Sequence, residues 1–98
     1  MVAVATVTVQ LFATLREVTG TSRLTVEASS VREVLSLLVS RYGPELGRRL
    51  VTPAGELQET IAVLVNGRNV RFLRGLETPL SDGDTVTLIP PVAGGLAG

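Results

Sequence analysis

Residues 82–95 read DGDTVTLIPPVAGG, and the reading of the fold starts from this run. Asp82-Gly83 is a turn signal, and residues 85–89 alternate: Val86 and Leu88 point one way, Thr85, Thr87 and Ile89 the other. That pattern predicts a half-buried strand. Pro90 and Pro91 then favour an extended, stiffened exit from the sheet. Gly94 and Gly95 carry no side chains, so a narrow channel can close around their backbone. A strand that runs directly into such a tail needs a sheet to hold it, and the upstream sequence supplies one.

In AVATVTVQLF, Ala5, Val7, Val9 and Leu11 fall on one face, and Thr6, Thr8, Gln10 and Phe12 on the other. Phe12 is the odd apolar member of the outer row. LREVTGTSRLTVEA predicts a turn around Gly20 and a second strand near residues 22–27, making a hairpin with the first. SSVREVLSLLVSRYG predicts the main helix, opened by a capping box of Ser30 with Glu33 and closed by Gly43 and Pro44. Its apolar stripe is Val31, Val34, Leu35 and Leu38. PELGRRL reads as a possible helical turn, and VTPAGELQET has no clear period. IAVLVNG is a third strand ending at the Asn66-Gly67 turn, and NVRFL reads as a short fourth. The order is ββαβββ, an α+β domain over residues 1–89 followed by a flexible tail over 90–98.

Composition removes whole classes of chemistry. The chain has 98 residues, room for one modest core, with 45% apolar residues and no cysteine or histidine. Thiolate and imidazole chemistry and the usual soft metal ligands are therefore missing together, and no metal site is expected. Nine acidic residues balance nine basic ones, and Phe12, Tyr42 and Phe72 are the only aromatics. Neither an electrostatic footprint for nucleic acid nor a base-stacking platform is expected. No apolar run approaches the roughly 18 residues needed to cross a bilayer. The first strand alternates where a leader would show a basic and then a greasy segment, so a soluble cytoplasmic protein is expected. All nine basic residues are arginine. That pattern fits first an arginine coding bias; the sharper reading is a protein that gains from having no lysine amine to attack its own activated C-terminus.

LFATLREVTG at 11–20, VLVNGRNVRF at 63–72 and GLETPLSDGDTVTLIPPVAGG at 75–95, with the helix between them, carry a family likeness. The chain resembles the ubiquitin-like β-grasp sulfur carriers of the CysO, MoaD and ThiS kind, over nearly its whole length to Gly95. The longer segment RLVTPAGELQETIAVLVNGRNVRF makes it most similar to CysO and the longer MoaD-like proteins. The resemblance implies a mixed sheet of four to five strands packed on one main helix.

The resemblance also implies a carrier whose substrate-bearing atom is its own C-terminal carbon, with Gly95 and Gly94 as the site. A carboxylate is ionised and unreactive at neutral pH. In such proteins a ubiquitin-activating-type enzyme adenylates it with ATP, and a sulfur donor then displaces AMP to leave a thiocarboxylate for a sulfur-accepting biosynthetic enzyme. No cofactor is bound and no catalytic residue is its own, as expected of a co-substrate. Six extended residues from Pro90 to Gly95 reach about 20 Å into a partner. Phe12 and Ile89 lie in outward rows by alternation, and Val70 joins them if its strand lies alongside, giving a partner-binding patch. Leu96-Ala97-Gly98 departs from the family's ending, so cleavage between Gly95 and Leu96 by a metallopeptidase is expected. Two alternatives keep the fold: the small subunit of molybdopterin synthase, and a protein modifier conjugated through Gly95. A third makes the chain a non-covalent interaction domain with an idle tail.

Overall fold

The computed structural model describes residues 4–91. Its strands are β1 (Ala5–Leu11), β2 (Arg23–Ala28), β3 (Ala62–Val65), β4 (Arg68–Asn69) and β5 (Thr85–Ile89). The helices are α1 (Ala13–Thr19), α2 (Val31–Tyr42) and α3 (Pro44–Leu50). The sheet runs in the order β2-β1-β5-β3-β4. Only β1 and β5 are parallel, with Val9 opposite Val86 and Leu11 opposite Leu88; every other neighbouring pair is antiparallel. The first and last strands thus lie side by side in the middle of a mixed five-stranded sheet.

Alternation determines the faces as expected. Val7, Val9 and Leu11 of β1 are at most 1% exposed, as are Val86 and Leu88 of β5. The α2 stripe of Val31, Val34, Leu35 and Leu38 covers them and is itself buried, with Leu46 and Leu50 of α3 alongside. Burying that many aliphatic side chains, at about 1.5–3 kcal/mol each, is the main favourable contribution to the fold. Ser30 caps α2, its hydroxyl accepting the Glu33 amide at 3.3 Å. The return half of the box shifts by one residue: the Glu33 carboxylate accepts from the amide of Ser29 and, at 3.0 Å, from its hydroxyl.

Three local expectations change. The segment before Gly20 is a helix and not only a turn, because Leu15 inserts fully into the core and Val18 packs beside it. Gly20 ends α1 at φ 78°, a left-handed conformation that suits glycine, its amide reaching the Arg16 carbonyl at 2.8 Å. The short fourth strand stops at Asn69, whose side-chain oxygen accepts the Arg71 amide at 2.9 Å and turns residues 70–72 into a 3-10 turn. The possible turn PELGRRL is the complete helix α3, started by Pro44 at its first position. The observed order is therefore βαβααβββ, with one long helix and two short ones.

Candidate docking face and tail root

The face of the sheet away from the helices carries no charge along its centre. By register, Thr8 sits beside Thr85, Gln10 beside Thr87, Thr87 beside Leu64, and Ile89 beside Ala62. All of these are partly exposed, and the Thr87 hydroxyl donates to Gln10 Oε1 at 3.3 Å. Charges appear on this face at the β2 edge, on Arg23 and Glu27. A neutral, partly apolar surface loses little on desolvation, so a partner can cover it at small polar cost.

The tail leaves at one end of this face. Because β5 runs parallel to β1, it ends where β1 hands over to α1, and the Phe12 amide donates to the Leu88 carbonyl at 3.3 Å. Phe12, 43% exposed, and the half-buried Ile89 therefore lie at the root of the tail. Val70 does not join them. It is 0% exposed and belongs to the core: Asn69 stands opposite the outward Leu64, so the next residue falls on the inner side of the sheet, toward Val63. Phe72 takes the exposed place instead, at 86% accessibility. In a strand, residues two apart share a face; at three residues per turn they do not. The signal for this was Asn69, which stabilises a turn by bonding its own backbone two residues on. Since β4 runs antiparallel to β3, Phe72 lies toward the same end of the sheet as the tail root.

Pro90 is buried and Pro91 exposed, so packing continues one residue past the strand. Both line a cleft of about 530 Å³ with Thr14 of α1, Arg48 and Arg49 of α3, and Gln58. Alternation along β5 says nothing about α3, and these two arginines were not identified from the sequence. Gly94, Gly95 and Leu96 lie outside the described residues. Among the described residues no three acidic, histidine or cysteine side chains gather where they could hold a metal, and no helix is long and apolar enough to cross a membrane.

Comparison with known proteins agrees with this geometry. The ThiS family profile matches residues 9–95. The sulfur carrier protein CysO of Mycobacterium tuberculosis is 37% identical over 92 residues, covering 91% of this chain and 98% of that protein. The solution structure of small archaeal modifier protein 1 from Methanosarcina acetivorans superposes with a TM-score of 0.84 at 40% identity, covering 95% of this chain and 99% of the other. A chain in the crystal structure of the Amycolatopsis orientalis BexX/CysO complex matches with a TM-score of 0.79 at 39% identity, covering 91% and 99%. These relatives are small carriers and modifiers with the ubiquitin-like β-grasp fold, and the chain with its mixed sheet, parallel central pair and tail leaving β5 belongs to the ThiS family of ubiquitin-like sulfur carriers.

Proposed function

We propose that this chain carries sulfur on its C-terminus as the co-substrate of partner enzymes. The observation that carries the reading is that the family match stops at Gly95, three residues before Gly98. A peptidase, expected to be a metallopeptidase, first removes Leu96-Ala97-Gly98. The new Gly95 carboxylate then attacks the α-phosphate of ATP on a ubiquitin-activating-type partner, releasing pyrophosphate and forming an acyl-adenylate. A sulfur donor displaces AMP and leaves a thiocarboxylate, which donates sulfide to a biosynthetic acceptor such as a cysteine-forming enzyme. The chain's own contribution is positional. The sheet face with Phe12 and Ile89 docks outside the partner, while the tail spans about 20 Å to the reacting atoms. A ThiS-type fold bound to another protein, as in the BexX/CysO complex, supports docking of this kind.

A second reading is favoured by the likeness to small archaeal modifier protein 1: conjugation of Gly95 to amines of other proteins. The absence of lysine suits it, since the chain offers no side-chain amine for building chains on itself.

Intact mass of the protein isolated from its own host tests both. Loss of residues 96–98 with a gain of roughly 16 Da, sulfur for oxygen, supports the carrier. Trimmed chains isopeptide-linked to other proteins support the modifier. A full-length chain ending in unmodified Gly98 under active sulfur metabolism refutes both.

A further inference from the structure

We propose that Arg48 and Arg49 form a cationic collar at the root of the tail that docks against carboxylates lining the mouth of the activating partner's channel. The inference rests on the carrier reading and names the chemistry of the partner surface. Both arginines are exposed in the last turn of α3 and line the same cleft as Pro90 and Pro91. The cleft lies where the chain reaches Pro91, so a partner that takes up the tail meets Arg48 and Arg49 at its entry.

The cleft is cationic and has little to neutralise it. Arg49 pairs with Glu45 at 3.2 Å, an exposed contact that solvent screens. Arg48 has no acidic partner among the described residues. Arg71 adds a third guanidinium nearby, donating to the carbonyls of Gln58 and, at 3.0 Å, Ile61, two more residues of the cleft. Thr14, Gln58 and Thr60 complete its polar lining without charge.

The far end of β5 is mixed in sign. The Asp82 carboxylate accepts the Thr6 amide at 2.8 Å, Asp84 holds Asn66 at 2.8 Å, and Glu27 is paired with Thr6 in register. Arg68, opposite Val65, and Arg41, lining a cleft with Thr6 and Glu27, stand among these carboxylates. Exposed guanidiniums at the root of the tail orient its approach toward an acidic opening and raise the rate of productive encounter.

Basic residues at a helix C-terminus also compensate its dipole, and that role alone would affect stability without affecting docking. The experiment separates the two. In the host, R48E/R49E is compared with wild type and with R41E/R68E, which reverses two arginines away from the tail. The readouts are the fraction of chain bearing the thiocarboxylate, and the KM and kcat for the carrier in ATP–pyrophosphate exchange with the host's activating fraction. The expected result is a KM about tenfold higher with kcat little changed for R48E/R49E. R41E/R68E should match wild type. The milder R48Q/R49Q, with thermal melting to confirm its fold, should raise KM less and weaken the salt dependence of KM. Wild-type kinetics in R48E/R49E, or a lost kcat with unchanged KM, overturns the inference alone. A wild-type chain that never acquires the modification overturns the carrier reading, and this inference with it.

Discussion

Replacing Val70 with alanine, beside the same change at Phe72, tests whether the chain after Asn69 forms a turn that separates the two side chains or a strand that keeps both on the core face. Val70 is 0% exposed, so V70A removes two methyl groups from a closed interior. Lost transfer free energy is about 0.8 kcal/mol per carbon, roughly 1.6 in all. The unrelaxed cavity adds to this, giving about 2–3 kcal/mol. For a domain of this size that is a fall in Tm on the order of 10–20 °C. The matched control is Phe72→Ala, two residues on, at 86% exposure. With most of its ring already in water, its loss should cost within about 0.5 kcal/mol. Far-UV circular dichroism during urea and thermal unfolding suits a chain without tryptophan. If F72A costs as much as V70A, the two side chains share the core face and residues 70–72 continue the strand; if V70A costs under about 0.5 kcal/mol, Val70 is not in the closed interior.

Deleting residues 96–98 should give a chain that acquires the thiocarboxylate without its peptidase, whereas Gly95→Ala should block modification; intact mass of both, expressed in the host, checks this. Phe12→Asp places a charge at the tail root beside the neutral face. It should shift Tm by only a few degrees while lowering the modified fraction about tenfold, and a modified fraction equal to wild type would remove Phe12 from the docking face. Asp84→Ala deletes a carboxylate that accepts from Asn66 Nδ2 and the Ser81 amide, both at 2.8 Å. Its loss should cost about 1–3 kcal/mol in urea unfolding, because charged acceptors make the stronger hydrogen bonds. Asn66→Ala should cost a similar amount, since the same side chain accepts the Thr85 amide at 2.9 Å and residue 66 sits at φ 52°.

Elements long enough to show a period were legible in the chain. Seven residues of strict alternation set both faces of β1, and twelve residues of helical stripe set the buried face of α2. The β5 alternation and the Asn66-Gly67 turn located the rest of the sheet. The helix α1 was missed because seven residues make barely two turns, too few for Leu15 and Val18 to read as a stripe. Val70 was placed outward for want of the β3–β4 register, which sets Asn69 opposite the outward Leu64 and so Val70 inward; Phe72 leaves that face because one hydrogen bond to the Asn69 side chain turns the backbone, and such a bond leaves no trace in hydropathy.

The candidate site divides in the same way. By itself the sequence determined which residues of β1 and β5 face outward, since alternation is a local property of the extended chain. It also placed two prolines at the end of β5, where the chain's own backbone limits what can follow the strand. It did not determine that β5 inserts between β1 and β3, parallel to the first strand, for pairing between residues 77 positions apart is set by the whole core. Only that insertion brings Phe12 beside the end of β5. Only the packing of α3 onto the same end brings Arg48 and Arg49 to Pro90 and Pro91. Contacts between residues so far apart in sequence form through the closing of a common core, and that is why the surroundings of the tail appear only in the folded chain.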